Sequence, residues 1–193
     1  PEKKTVWVEP GCQWGDVDHA THAFGLATVS GIISTTGVGG LTLGGGHGYL
    51  TRKYGLTIDN LMGADVVLAD GRLVHASKDK TPDLFWALRG GGGNFGVVTN
   101  FKFRLHPVRE VIAGPLFWPI QDLEKTLRWY RQWLPLAPED VYAFYQKAVV
   151  PAAQSIPADI RGKQVCGLML CCTGSQEQAD RAVAEACDVA KPL

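Results

Sequence analysis

The segment Ser30–Asn60 contains nine of the chain's 23 glycines. Glycine loses more conformational freedom on folding than any other residue, so this density is costly unless the backbone requires it. The usual requirements are positive φ angles and close approach of bare main chain to a ligand. Ile32, Ile33, Val38 and Leu41 interrupt the glycines, which is not typical of a flexible linker. We therefore predict an ordered loop, a short helix and a second loop that present N–H groups to a flat or anionic ligand.

Charge and cysteine content narrow the partners of this 193-residue chain. Nineteen basic residues balance nineteen acidic ones, which argues against nucleic acid or an anionic membrane as a partner. The five cysteines include no CxxC pair, so neither a disulfide framework nor a zinc site is indicated. Cys166, Cys171 and Cys172 lie in an apolar, strand-like run, and we expect them to be small buried thiols in a reducing compartment. We also expect a cytoplasmic location and no bound metal.

The first half of the chain mixes short strands and helices. Val17, Ala20 and Phe24 recur at helical spacing and predict a helix over Trp14–Phe24 that Gly25 ends. The other predicted elements are strands at Thr5–Glu9, Leu61–Leu68, Arg72–Ala76 and Phe95–Leu105, and a helix opened by Pro82 and ended by Gly90.

The composition changes after Val108, and a second set of elements follows. Asp122 is the predicted cap of an amphipathic helix, and Ser175 with Gln178 forms a predicted capping box. The predicted strands are Glu110–Trp118, Tyr142–Val150 and Lys163–Cys172, and the predicted helices are Asp122–Leu134 and Ser175–Ala190. Leu123, Leu127, Tyr130 and Leu134 should form the inner face of the first helix. This order indicates an antiparallel sheet covered by helices on one face, an α+β fold.

Three runs of sequence carry a family resemblance. They are TTGVGGLTLGGGHGYLTRKYGLTIDNL, ADVVLADGRLV and DLFWALRGGGGNFGVVTNFKFRLHPV. In order and spacing, from about Thr5 to Val108, they closely resemble the FAD-linked oxidases of the berberine-bridge-enzyme type, within the vanillyl-alcohol-oxidase group. The resemblance implies that residues 1–108 are the second subdomain of a PCMH-type FAD-binding domain. Residues 109–193 would then begin a substrate-binding domain.

The resemblance also implies which residues contact FAD. The glycine segment would lie along the flavin and its ribityl chain, and the main chain at Gly96, Val97 and Val98 would pair with the adenine end. The implied contacts in the segment are Thr35, Thr36, Gly37, Gly39, Gly40, Thr42, Gly45, Gly46, His47 and Gly48. Taken singly, each glycine is equally consistent with a plain turn, and His47 with a helix residue hydrogen-bonded nearby.

Two positions depart from the family pattern. Ile33 stands where plant members have a cysteine bonded to the flavin, so no cysteinyl link is expected there. Leu41 stands where they have a histidine, so a donor to the flavin N1 region must come from elsewhere. No catalytic base is assigned, because Tyr142, Tyr145 and Lys147 share a predicted strand on which aromatic residues more often pack.

The implied activity is oxidation of a C–H bond next to O or N of a small molecule. The hydride would pass to flavin, and O₂ would be the acceptor. Two alternatives stay open: a dehydrogenase with another acceptor, and a truncated, flavin-free fragment without activity. The family's upstream RGGGH-like loop is not seen in these residues, so we expect the 193-residue chain alone to bind FAD weakly or not at all.

Overall fold

The structure, a computed structural model, describes residues 2–154 and 156–193. It divides into two compact units, residues 1–109 and 110–193. Pro1, at the start of the first predicted domain, and Ser155, in the second, lie outside the described residues. The assignment of the two parts to FAD and to substrate binding concerns function and stays a prediction.

The first unit is built on an antiparallel sheet of four strands in the order β1-β5-β3-β4. These strands are β1 (Thr5–Val8), β3 (Leu61–Val67), β4 (Leu73–Ser77) and β5 (Val97–Arg104). A separate pair joins β2 (Leu26–Ala27) to β6 (His106–Pro107). The helices are α1 (Trp14–His22), α2 (Val38–Leu43), α3 (Thr51–Tyr54) and α4 (Pro82–Leu88), with 3-10 turns at Thr57–Asp59 and Gly92–Phe95.

The core of this unit forms where α1 and α4 supply large side chains to the sheet. Trp14, Leu88, Phe101 and Phe103 are fully buried, and the rings of Trp14 and Phe103 lie 5.5 Å apart. Burial of side chains of this size contributes roughly 1.5–3 kcal/mol each. The core therefore fixes α1, and with it the chain that follows, against the sheet.

The predicted end of α1 is wrong. The helix stops at His22, and the N–H of Gly25 donates to the carbonyl of His22 at 2.8 Å. Gly25 has a φ of 63°, a left-handed conformation that turns the chain away from the helix axis. Phe24 therefore leaves the helical face and is 60% exposed, although its spacing matched the buried Val17.

The predicted start of β5 is also wrong. Phe95 belongs to the 3-10 turn, and the strand begins two residues later at Val97. Gly96 has a φ of 139°, and a Cβ at this position would lie 2.6 Å from the carbonyl oxygen of Val67. Only glycine fits here, so this residue separates the turn from the strand.

The second unit is a three-stranded antiparallel sheet in the order β7-β9-β8. The strands are β7 (Ile112–Pro119), β8 (Val141–Val149) and β9 (Gln164–Cys172), and the helices are α5 (Leu123–Trp133) and α6 (Gln176–Val189). Side chains of both helices join one buried cluster with the sheet. The predicted α+β class and antiparallel sheets are confirmed.

The inner face of α5 differs from the predicted one. Thr126 and Trp133 are buried, whereas Leu127 is 37% exposed. The Thr126 hydroxyl lies 2.8 Å from the carbonyl oxygen of Asp122, which explains how a polar side chain tolerates burial. Asp122 occupies the N-cap position, but its side chain makes no capping bond, so the predicted cap is wrong.

The capping box at the start of α6 is confirmed. The N–H of Gln178 donates to the Ser175 hydroxyl at 3.3 Å, and the N–H of Ser175 donates to the Gln178 side chain at 2.8 Å.

Among the described residues, no helix has the length and apolar character to cross a membrane. Over residues 2–154 and 156–193, no three histidine, cysteine or acidic side chains group as metal ligands.

Candidate cofactor site

The glycine segment is held in place by the residues that open α1. The N–H of Trp14 donates to the carbonyl of Thr36 at 3.0 Å, and the N–H of Val38 donates to that of Cys12 at 2.9 Å. Around these bonds, Gln13 and Gly37 pair like residues of an antiparallel sheet. The segment is therefore an ordered part of the fold, as predicted.

Some glycines of the segment are needed for internal packing. A Cβ at Gly48 would lie 1.7 Å from the carbonyl oxygen of Ser30, and one at Gly46 would lie 2.2 Å from the hydroxyl of Thr57. Real Cβ atoms do not approach other atoms this closely, so neither position has room for a side chain. At Gly46 and Gly48, the segment therefore packs directly against other residues of the same segment.

Other glycines leave the backbone bare. At Gly37, Gly40 and Gly45, nothing lies within 4 Å of where a Cβ would be. Gly37 and Gly40 are exposed, and among the described residues their N–H groups have no hydrogen-bond partner. Gly45 is buried even though the space on its Cβ side is unfilled. This part of the segment offers free donors and room for a ligand.

Exposed side chains border the bare backbone. Ile32 is 37% exposed and Ile33 is 56% exposed, and Thr35 is exposed as well. An aliphatic surface with a nearby hydroxyl and free N–H groups suits a flat ligand that has polar edges. The loop before α2 has this combination.

Three other residues predicted to contact FAD have surroundings unlike those of the open glycines. Thr42 is fully buried, and its hydroxyl donates to the carbonyl of Val38 at 2.7 Å. The N–H of Gly39 donates to the carbonyl of Pro10 at 3.1 Å. His47 is exposed in the loop between α2 and α3, so the alternative that placed it in a helix is wrong. Thr42 and Gly39 support the segment from inside.

A second glycine-rich part of the chain lies close to the glycine segment. The 3-10 turn Gly92–Phe95 contacts α2, which places the start of β5 near the segment. Val98 is buried and Val97 is 68% exposed. Since β1 pairs with β5 only from Phe101 to Arg104, the described strands leave one edge of Val97–Asn100 unpaired. This free edge can donate and accept main-chain hydrogen bonds, as the resemblance requires for the adenine end.

Asn60, which sequence reasoning took only as a turn residue, joins the end of the segment to β6. Its side-chain amide donates to the carbonyls of Tyr54 and Leu56, both at 2.9 Å, and its oxygen lies 2.6 Å from His106 Nε2. Because the amide is used in two donations, the oxygen must accept, so Nε2 of His106 carries a proton. Since β6 pairs with β2, which leads into the segment, this bond ties both ends of the segment together.

The His106 ring is also shielded from protonation. Burial lowers the pKa of His106 below its ordinary value, and the nearby charges of Arg104 and Lys4 lower it further. The ring stacks on Tyr54 with centroids 3.8 Å apart. At neutral pH the imidazole is therefore neutral and donates through Nε2.

Stability should consequently fall on the acid side of neutrality. The unfolded chain binds a proton at the ordinary histidine pKa of 6.5, whereas folded His106 binds one only at lower pH. Unfolding is then favoured progressively as the pH drops from 6.5 through the folded pKa. Urea unfolding should be measured between pH 7.5 and pH 4.5, roughly the range that brackets histidine titration. The free energy of unfolding should fall more steeply over this range in the unaltered protein than in His106→Gln. Equal slopes in the two proteins would contradict this assignment.

Known proteins similar to this chain are FAD-linked. A family model described as an FAD binding domain matches residues 1–77. An FAD-linked oxidoreductase of Aspergillus terreus is 53% identical over 117 residues, which is 61% of this chain and 23% of that protein. The structure of BBE-like 1 of Physcomitrella patens matches 100% of this chain and 40% of its own, with a TM-score of 0.84 and 29% identity. The chain is similar to FAD-linked oxidoreductases and to a berberine-bridge-enzyme-like protein.

Named oxidases are also among the similar proteins. (R)-6-Hydroxynicotine oxidase of Paenarthrobacter nicotinovorans is 47% identical over 105 residues, which is 54% of this chain and 23% of that protein. The crystal structure of 6-hydroxy-D-nicotine oxidase from Arthrobacter nicotinovorans has a TM-score of 0.82 and 31% identity, over 100% of this chain and 41% of its own. The chain spans about a quarter of the length of the first curated relatives it matches.

In the second unit, the strand β8 does not supply an evident base. The Tyr145 hydroxyl lies 2.6 Å from that of Thr126 on α5, and burial raises its pKa to about 12. Tyr145 therefore stays protonated at neutral pH and packs beneath the helix. Lys147 is exposed two residues further along the same strand, and Tyr142, which alternates with them, is buried. The catalytic base stays unassigned.

Proposed function

We propose that this chain is part of an FAD-dependent oxidase that oxidises a C–H bond next to O or N of a small molecule. Hydride transfer to flavin and reoxidation by O₂ would complete the reaction. Similarity to FAD-linked oxidoreductases supports flavin use, and the similar proteins include oxidases named for hydroxynicotine and for glucooligosaccharides. The observation that carries the proposal is the bare backbone at Gly37 and Gly40, with free N–H groups beside exposed isoleucines.

The residues present fit the cofactor. The N–H groups of Gly37 and Gly40 would donate to the polar edge of the flavin, and Ile32 and Ile33 would cover part of its apolar face. The free edge at Val97 would bind the adenine end through main-chain groups. When bound, FAD supplies the hydride acceptor. These residues would orient it and exclude water from one side.

The attachment of the flavin follows from the residue at position 33. The exposed Ile33 has no thiol, so we propose that no thioether forms at this position. Any covalent link of the cofactor would have to come from a different residue.

Gly40→Leu tests the flavin contact without disturbing the fold. Leucine is a good helix former, and nothing lies within 4 Å of this position, so α2 should be kept. The added side chain would occupy the space that the cofactor needs. In the full product of the native reading frame, we expect the affinity for FAD, measured by quenching of flavin fluorescence, to fall about tenfold or more, which is at least about 1.4 kcal/mol.

Gly114→Leu is the matched control. Gly114 lies in β7 of the second unit and is likewise open on its Cβ side. This variant should bind FAD like the unaltered protein, and circular dichroism should show both variants folded. Equal FAD affinity in Gly40→Leu and Gly114→Leu would contradict the assigned contact.

The reaction itself is tested on the full product of the native reading frame. An oxygen electrode and a panel of sugars, alcohols and amines should reveal O₂ consumption with at least one substrate class. Reduction of an artificial acceptor without O₂ uptake would instead identify a dehydrogenase. A purified product that shows no flavin absorbance, and gains none with added FAD, would favour the non-catalytic alternative.

A further inference from the structure

A basic cleft lies at the end of β1 and β5 in the first unit. Its volume is about 340 Å³. Its lining contains three residues with permanent positive charge and one histidine, together with neutral side chains. The lining residues are Lys3, Lys4, Thr5, Met62, Arg104, Leu105, His106 and Pro107.

The positive charge in this cleft is not balanced. Within the described parts of the chain, no acidic residue lines the cleft, and neither the two lysines nor Arg104 forms an ion pair. Glu2 is the nearest acid in sequence and is not part of the lining. Four other arginines, by contrast, each have a carboxylate oxygen within 3.2 Å: Arg72, Arg89, Arg128 and Arg181.

The backbone holds these cations close to one another. The carbonyl of Lys4 accepts the N–H of Leu105 at 2.8 Å, and Thr5 pairs with Arg104 across β1 and β5. His106 is fixed by its bond to Asn60. Because the chain has already paid the entropy of bringing like charges together, an anion would find its partners assembled.

We propose that this cleft binds a phosphate-bearing anion, with Lys3, Lys4 and Arg104 as its charged partners. An arginine and two ammonium groups suit the several oxygens and the double charge of phosphate. His106, which also lines the cleft, adds a fourth group that gains a positive charge when it is protonated. The ligand is a phosphate compound separate from the flavin dinucleotide, because the contacts assigned to FAD lie near Val97, at the opposite end of β5 from Arg104.

His106 reports on the site directly. Burial lowers the pKa of His106, and the charges of Arg104 and Lys4, which line the cleft, lower it further, so an anion bound among these cations must raise it by linkage. The test is an NMR titration of the histidine Cε1 protons with inorganic phosphate, with sodium chloride added as a control at matched ionic strength. We expect phosphate to raise the pKa of His106 and to leave His19, His22, His47 and His75 unchanged.

Substitutions distinguish anion binding in the cleft from nonspecific screening of charge by added salt. Arg104→Gln and, as a second variant at an exposed position, Lys3→Gln should each weaken the phosphate effect by about threefold. Lys125→Gln on α5 should leave it intact. Absence of a phosphate effect on His106, or equal shifts at all five histidines, would overturn the proposal.

A further arm tests the cofactor as the source of the phosphate. FAD added in place of inorganic phosphate should leave the pKa of His106 unchanged, because the contacts assigned to FAD lie at the other end of β5. If FAD raised the pKa of His106 and competed with phosphate, the assignment of a separate phosphate compound would be overturned. Neither result depends on the oxidase activity.

Discussion

Gly48→Ala should lower the free energy of unfolding by about 3 kcal/mol or more, the largest change expected in the glycine segment. A Cβ at this position would lie 1.7 Å from the carbonyl oxygen of Ser30 and 2.8 Å from its carbonyl carbon. The obstacle is main chain, so no side-chain rotation can relieve the clash. The backbone around Gly48 would have to move away from that of Ser30. Urea unfolding followed by circular dichroism measures the loss.

Gly40→Ala is the matched control for Gly48→Ala. It is the same substitution eight residues earlier, at a position with nothing within 4 Å. Alanine in a helix is favoured over glycine by about 0.5–1 kcal/mol, so this variant should be slightly more stable. Similar stability of the two variants would show that the segment is not folded as described.

Asn60→Ala should cost about 2–4 kcal/mol, the second-largest effect. Asn60 is 2% exposed, and its removal leaves the carbonyl of Tyr54 without its side-chain donor and His106 Nε2 without an acceptor, whereas the carbonyl of Leu56 keeps the N–H of Asp59. Buried groups that lose their partners carry the full desolvation penalty. The loss should appear in the urea unfolding of the first unit.

Asn94→Ala provides the comparison for Asn60. Asn94 is exposed and donates one bond to the carbonyl of Gly91 at 2.8 Å. Water can replace that bond, so the expected cost is below about 1 kcal/mol. If Asn60→Ala were as mild as Asn94→Ala, the coupling of the segment to β6 would be refuted.

The local order of the glycine segment was predictable from sequence, but the roles of its glycines were not. Apolar residues between the glycines indicated an ordered loop and a short helix, and α2 lies there. Whether a glycine is packed or open depends on contacts with distant residues, such as Ser30 against Gly48. Sequence spacing carries no record of such contacts.

Helix positions were predictable, whereas their buried faces were less so. Periodicity located α1 and α5, but Phe24 and Leu127 are exposed. Phe24 lies beyond the end of its helix, and on α5 the buried position is taken by Thr126, whose hydroxyl bonds to the backbone and to Tyr145. A hydrophobic pattern treats threonine as a surface residue and so misses this arrangement.

The basic cleft and the bond from Asn60 to His106 could not have been found in the sequence. The cleft brings together residues near opposite ends of the sequence of the first unit, and the hydrogen bond joins residues 46 positions apart. Neither region has a charge run or a motif that singles it out. The pairing of β1 with β5 brings them together.

The central claim is that the open glycines of this segment, with the free edge of β5, contact FAD. The most direct test is a ¹H–¹⁵N NMR titration of the flavin-free full product of the native reading frame with FAD. The account predicts saturable shifts at the amides of Gly37 and Gly40 and at those of Val97 and Val98, with none at Gly114. Shifts confined to other residues, or no localised shifts at all, would contradict it.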